Sequence, residues 1–248
     1  MNKEEQSETE LAEMRLDEET PEYNEQRADI ICKILQREKL YRVLDVGCGL
    51  GKVTVYLAQN GLNVMGIDIS PRLIDLARKK AAEKNIPLHF EVIELSKLMV
   101  DEKFDAVLFA GVLEHIDDEE QLMRDAQRVL KEGGKIIITD MPTFQWLYHP
   151  RDRKIGHVRR YTKELIRKKL IAQGYTNIKL RYYNFLMLFG SIYLLLFKKD
   201  EYPYGTINKF TKKFLHIWYK YLENRFIFPV GDRLIAVAEY WSARDRGY

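Results

Sequence analysis

A strand-like run, a turn with glycine at every second position and the start of a helix fall together in Val43-Leu-Asp-Val-Gly-Cys-Gly-Leu-Gly51. Nothing else in the chain narrows the fold so far. Arg42–Val46 has the pattern of a short buried strand, and helix signals resume at Lys52 and run through Gln59. Without a Cβ, each glycine lets the backbone turn tightly and lets a ligand come close against it. A strand feeding a glycine turn and then a helix is the opening of a β–α–β unit, and such units build parallel sheets. The spacing is Asp-x-Gly-x-Gly-x-Gly. A dinucleotide fingerprint needs its last glycine at Lys52 when counted from Gly47, or at Thr54 when counted from Gly49, and fails in both registers. A phosphate-cradling loop is also excluded, because no Gly-Lys-Ser/Thr tail follows.

The rest of the chain repeats the alternation. Tyr23–Leu40 reads as a helix on Ile30, Ile31, Ile34 and Leu35. Asn63–Asp68 is a second strand, and Ser70-Pro71 opens a helix to about Asn85, with serine as cap and proline in the first turn. Gly61 sits where a helix C-cap favours glycine. Leu88–Ile93 and Phe104–Phe109 are strands three and four. Asp117–Leu130 is helical, Gly133-Gly134 turns the chain and Lys135–Met141 is strand five. Thr162 caps a helix to Gln173, and Asn177–Tyr183 and Arg233–Tyr240 complete a set of seven strands. This pattern gives an α/β fold: a mostly parallel sheet with helices on both faces. Ligands in such folds bind beyond the carboxyl ends of the strands, so the motifs should gather on one rim.

Residues 1–20 stand apart as an acidic leader. Through residue 22 there are nine acids against only Lys3 and Arg15, and so few apolar residues that ordering would not be offset by burial. The remainder carries a positive balance, although the whole chain is only +3, too little to argue attraction to nucleic acid. Cys32 and Cys48 have no metal-type spacing and suggest no disulfide framework, which fits a reducing, cytoplasmic setting. The sequence assigns no metal ligands. The N-terminus lacks a secretory pattern, and the apolar run Phe185–Phe197 is shorter than the roughly 20 residues a bilayer requires.

With these motifs in order, residues 21–185 and the last strand resemble the class I S-adenosylmethionine-dependent methyltransferase family. That resemblance rests on the glycine turn, on Asp68 at the end of strand two, on Phe104-Asp-Ala-Val-Leu-Phe-Ala-Gly-Val-Leu-Glu-His-Ile116 and on Arg128-Val-Leu-Lys-Glu-Gly-Gly-Lys135. It implies a seven-stranded Rossmann-like sheet and S-adenosylmethionine as cofactor. It further implies contacts from Asp45, Gly47, Gly49, Gly51, Asp68, Ile69, Glu94, Leu95 and Ala110, with Asp68 on the ribose hydroxyls. Glu94-Leu95 departs from the family's Asp followed by a small residue at the adenine amino group, and Glu132 stands where proline is usual. Tyr23 and Arg27 fall where related proteins lay a helix over the cofactor. There Arg27 pairs with its carboxylate or simply faces solvent.

The candidate chemistry lies after strand five, in a segment that resembles a subgroup with Asp followed by Gly-His-x-Arg-Arg-Tyr. Asp152, Gly156, His157, Arg159, Arg160 and Tyr161 match it. His157 can take a proton from a hydroxyl, Arg160 can fork a carboxylate or phosphate, and Tyr161 can position either. His115 is a second candidate base. The bland alternative is a hydrogen-bonded loop that shapes the pocket without doing chemistry, and His149 before Pro150 reads as a turn residue.

Residues 186–231 form a helical, aromatic and basic insertion between strands six and seven, separating a core of 21–185 and 232–248. Leu186–Phe197 is nearly all apolar, and Thr206–Phe226 places Phe210, Phe214, Ile217, Tyr221 and Leu222 on one helical face. Three readings stay open for it: a cap on the sheet, peripheral docking on an anionic membrane through 186–226, or a dimer surface. The expected function is methyl transfer to a small-molecule or lipid-like acceptor, at oxygen in preference. The alternatives are a non-catalytic cofactor-binding protein and an enzyme acting on a macromolecule. With no nucleic-acid recognition module, RNA ranks low. A nicotinamide oxidoreductase is opposed by the glycine spacing.

Overall fold

A computed structural model of the protein describes residues 21–197, 213–214, 217–223 and 228–242, with the side chains of 21–24, 219 and 220 outside that description. The acidic leader and most of the Thr206–Phe226 helix expectation lie outside the described residues.

The elements in order are α1 (Pro21–Arg37), β1 (Arg42–Val46), α2 (Lys52–Gln59), β2 (Asn63–Asp68), α3 (Pro71–Glu83), β3 (His89–Val92) and β4 (Phe104–Ala110). Then come α4 (Glu119–Val129), β5 (Leu130–Pro142), α5 (Pro150–Lys154), α6 (Lys163–Ala172), β6 (Tyr175–Tyr183), α7 (Phe185–Leu196) and β7 (Arg233–Tyr240). One sheet holds all seven strands in the order β3-β2-β1-β4-β5-β7-β6. β7 runs antiparallel to both its neighbours, and every other pairing is parallel.

Alternation along the strands sorts the side chains to two faces. Leu44, Val46, Val107, Phe109, Ile136 and Ile138 pack with Met123, Ala126 and Val129 of α4 and with Ile166 and Leu170 of α6. Val43, Ala106, Leu108 and Ile137 face the other way, onto Ile31 and Leu35 of α1 and Val53 and Leu57 of α2. Both faces are therefore covered, as a parallel sheet requires.

Helix starts are where the capping residues place them. Ser70 Oγ accepts from Leu73 N at 3.4 Å, Asp118 from Gln121 N at 2.9 Å and Thr162 from Leu165 N at 3.1 Å. Gly61 follows α2 with φ 84°, a left-handed residue just past the helix end. One expectation is corrected. Gly133-Gly134 is no separate turn but part of β5, where Phe104 pairs with Leu130 and Ala106 already with Lys135. Gly133, at φ 71°, carries this bulge, which lets β5 start early without losing its partner.

At the opposite rim, Glu38 after α1 lies between Lys135 of β5, at 2.5 Å, and Lys179 of β6, at 2.9 Å. The bonds from Lys135 and then Lys179 hold its carboxyl down to about 2, from an ordinary 4.5. A depressed folded-state pKa adds stability above the ordinary value, and that stability drains away as pH falls from about 4.5 towards 2. Glu38→Gln is therefore expected to cost about 1–2 kcal/mol of unfolding free energy at neutral pH, Lys179 being largely solvated, and almost nothing near pH 2. Urea melts of both proteins at the two pH values check it.

Candidate active site

The glycine turn is shaped by its own backbone. Gly47, Gly49 and Gly51 have φ of 68°, 54° and 66°, the left-handed region that a Cβ makes costly. Gly47 N and Cys48 N both donate to Ile67 O, at 2.8 and 3.0 Å, tying the turn to the end of β2. Asp68 completes the tie. One carboxylate oxygen accepts from Gly49 N and the other from Ser70 N, each at 2.9 Å. Burial raises the Asp68 pKa, and those backbone donors oppose the rise. Two carboxylate oxygens offer about four acceptor positions, so each keeps room for a further donor. Ile69 beside it is 64% exposed, an apolar surface on the same rim.

Asp45 lies deeper. It is buried, accepts Thr54 Oγ1 at 2.6 Å and is pushed up to about 6 by burial. It fixes the start of α2 against β1 rather than facing outward. Glu94 precedes the 3-10 turn Leu95–Lys97 as its N-cap and is half exposed, accepting from Lys97 Nζ at 2.7 Å, while Leu95 is buried in the core. Arg27 of α1 does not face solvent, the second of its two readings: its guanidinium stands 3.7 Å from Asp140 at the end of β5, with both side chains buried. Ala110 ends β4 next to Gly111, whose φ of 74° opens the space where Arg27, Glu114 and Asp140 converge. Tyr23 is in the first turn of α1, and its side chain lies outside the described residues.

Two loops meet beyond β4 and β5. Val158 N donates to Glu114 O at 2.8 Å, His115 Nδ1 to Gly156 O at 3.0 Å, and Arg159 to the carbonyls of Ile116 and Asp117 at 2.8 and 2.9 Å. These bonds set the His115 and His157 rings 4.9 Å apart, centre to centre. His157 donates Nδ1–H to Asp152 Oδ1 at 2.8 Å. Burial lowers the imidazole to about 4, with the bond to Asp152 pulling the other way, so the ring is neutral at neutral pH with its electron pair on Nε2. Burial also lifts the Glu114 carboxyl to about 8, helped by the nearby Asp140 charge.

Arg160 and Tyr161 are turned into the protein. Arg160 is 2% exposed, and its donors are committed to Asp152 Oδ2 at 2.9 Å, Thr143 O at 3.0 Å and His149 Nε2 at 3.1 Å. The fork read from sequence as a clasp for substrate instead grips the inside of its own loop. Tyr161 is fully buried and donates its hydroxyl to Glu119. Their bonds tie the segment that carries His157 to Asp152 and Glu119. His149, expected as a turn residue, is the N-cap of α5 and part of the same cluster.

Several residues of the rim escaped the sequence reading. Asp140 and Tyr183, hydrogen-bonded to one another, hold the ends of β5 and β6 together. Asp232 accepts from Ser191 of α7 and lies 3.8 Å from Arg160. Glu223 accepts from Phe185 N at 3.1 Å and Trp218 Nε1 at 2.8 Å, fastening part of the insertion to the end of β6. Acids at the carboxyl ends of strands were the available signal for Asp140; nothing local marked the others.

Residues 44–138 match the methyltransferase domain family. The ubiquinone biosynthesis O-methyltransferase of Xanthomonas oryzae pv. oryzae (strain PXO99A) is 35% identical over 102 residues, 40% of this chain and 43% of that protein. The protein of the same name from Coxiella burnetii (strain RSA 493 / Nine Mile phase I) is 33% identical over 98 residues, 39% and 42% of the two chains. The chain thus spans less than half the length of the curated relatives it matches. Among solved structures, magnesium protoporphyrin IX methyltransferase from Synechocystis PCC 6803, with bound S-adenosylhomocysteine, superposes with a TM-score of 0.56 at 19% identity over 88% of this chain and 84% of that one. An S-adenosylmethionine-dependent methyltransferase from Clostridium acetobutylicum ATCC 824 gives 0.57 at 16% identity, over 88% and 92%. The fold is that of the class I methyltransferases.

Proposed function

We propose that this chain, which has the class I methyltransferase fold and a methyltransferase domain match over 44–138, moves a methyl group from S-adenosylmethionine to an oxygen of a small or lipid-like acceptor. The observation that carries the reading is the latch of Asp68 onto Gly49 and Ser70 at the carboxyl rim. The residues fit that cofactor. Asp68 keeps acceptor positions for two ribose hydroxyls, exposed Ile69 offers an apolar face to the purine, and the turn of Gly47, Gly49 and Gly51 admits close approach of the nucleoside. Arg27 would meet the amino-acid carboxylate from α1, with Asp140 holding its guanidinium in place.

When bound, the cofactor supplies a methyl on an already activated sulfonium. The protein's work is then alignment, which in well-oriented pairs is worth about 7–11 kcal/mol, and removal of the hydroxyl proton. Asp152 holds the His157 ring so that Nε2 can receive that proton, and Arg160 and Tyr161 fix the loop that carries it. Support for an oxygen acceptor comes from the relatives named as O-methyltransferases. The deciding experiment incubates purified protein and methyl-labelled cofactor with extracted lipids and with a metabolite pool. Label is expected in one fraction and not in a His157→Gln control; label in neither fraction would favour a cofactor-binding protein without catalysis.

The insertion supports the lipid-like side of this reading. No helix among the described residues is long and apolar enough to cross a membrane. Yet Phe189 and Leu196 on α7 and Phe197 just after it are 57%, 70% and 61% exposed, and Phe214, Ile217 and Tyr221 are also exposed. Burying such side chains in an interface is worth about 1.5–3 kcal/mol each. Phe189→Ser with Leu196→Ser is expected to reduce sedimentation with anionic phosphatidylglycerol vesicles at least about tenfold. Equal sedimentation of both proteins would remove membrane contact from the reading.

A further inference from the structure

Glu114 and His115 from the turn after β4, and His157 from the segment after α5, bring one ligand atom each to within 4.8 Å of one another. Sequence spacing could not show this: two of the residues are adjacent, and the third arrives only because the loops are stitched together by Val158 N–Glu114 O and His115–Gly156 O.

Both imidazoles carry the outer hydrogen bond that metal-bound histidines have. His157 Nδ1–H is held by the Asp152 carboxylate at 2.8 Å and His115 Nδ1–H by the Gly156 carbonyl at 3.0 Å. An outer carboxylate or carbonyl on one ring nitrogen fixes the tautomer and raises the basicity of the other, which is how histidine is presented to a cation. Glu114 is 3% exposed, and its Oε2 has no hydrogen-bond partner. A buried carboxylate oxygen left unbonded is costly, and a cation would relieve that cost.

We propose that Glu114, His115 and His157 hold a divalent cation of the zinc class, with coordination left open towards the acceptor. Two imidazoles and one carboxylate suit a borderline first-row ion; magnesium and calcium prefer all-oxygen sites. Bonds of about 2.0–2.1 Å to a tetrahedral ion put ligands roughly 3.4 Å apart, so the three side chains draw in by about an ångström on binding. The binding itself does not depend on the methyl-transfer reading; only the role of the ion rests on it. A hydroxyl coordinated there ionises more readily and releases its proton to solvent. Its oxygen then forms the new bond to the methyl carbon as the carbon–sulfur bond breaks, leaving a neutral thioether with no change of oxidation state. With the ion in place, His157 serves it as a ligand; without it, the same electron pair takes the proton.

The test uses the full chain, stripped of metal by a chelator and titrated with Co²⁺ in visible absorption. One Co²⁺ per chain is expected, with d–d bands of a low-coordinate ion that Zn²⁺ abolishes. His157→Gln, His115→Gln and Glu114→Gln should each weaken binding by at least about tenfold, with thermal melts confirming that the variants fold. Absence of stoichiometric binding by the wild type overturns the proposal, as does undiminished binding in all three variants. Calorimetry with S-adenosylhomocysteine on the same metal-free protein separates the two readings. Cobalt without nucleoside binding leaves the ion site standing and removes the methyl-transfer reading; nucleoside without cobalt does the reverse.

Discussion

Asp68→Ala is expected to weaken S-adenosylhomocysteine binding by about 100-fold or more in titration calorimetry, with the circular dichroism spectrum unchanged. Two separate losses combine. The carboxylate holds Gly49 N and Ser70 N at 2.9 Å each, so its removal unlatches the turn from the end of β2. It also removes the acceptors proposed for the ribose hydroxyls. Hydrogen bonds to a charged group are worth about 1.5–3 kcal/mol, and two of them correspond to two or more powers of ten in affinity. Gly47 and Cys48 still bond to Ile67 O, which is why the fold should survive. Asp68→Asn should fall between, keeping one acceptor but turning an amide donor towards one of the two backbone N–H groups. An unchanged affinity in Asp68→Ala would mean that the nucleoside does not use this rim.

How far the sequence reached depended on how local each signal was. Ser70-Pro71 and Thr162 act within one helical turn and open their helices as read, and Asp118, a cap the sequence reading did not single out, works over the same short range. Strand alternation through Val43–Val46 and Ile136–Ile138 likewise needs only the pleat. Glycine was ambiguous because its meaning comes from the partner strand. Gly133 marks a bulge within β5 only because residues 131–134 stand opposite the single Asp105 in the pairing with β4. Glu94 shows the same limit at the site: its position after β3 is as expected, but its carboxylate is spent on Lys97.

Charged residues in the loop after β5 were the least legible. Arginine and tyrosine in a conspicuous motif advertise hydrogen-bonding capacity, not the direction in which it is used. Glu119, which takes the Tyr161 hydroxyl, is 42 residues away, and Asp232, near Arg160, comes from the far side of the insertion. The ion site is illegible for the same reason, since His157 meets Glu114 and His115 only after both loops are folded.

Asp152→Ala tests that folded loop directly and is expected to be strongly destabilising. One carboxylate serves His157 Nδ1 at 2.8 Å, Arg160 Nε at 2.9 Å and His149 N at 2.9 Å, and both the acid and the guanidinium are about 1% exposed. Burial alone would raise its pKa, yet His157 and Arg160 hold it well below the ordinary carboxylate range, so the acid is charged. Deleting it leaves the buried Arg160 cation facing Asp232, at 3.8 Å, a looser counter-charge. Breaking a buried pair in this way costs about 3–5 kcal/mol. For a chain of this size that corresponds to a fall in Tm of roughly 6–20 °C. Asp152→Asn keeps the shape and one acceptor and should lose about half as much. If Asp152→Ala melted with the wild type, the Arg160 cluster could not be what positions His157, and the positioning roles of Arg160 and Tyr161 would have to be abandoned.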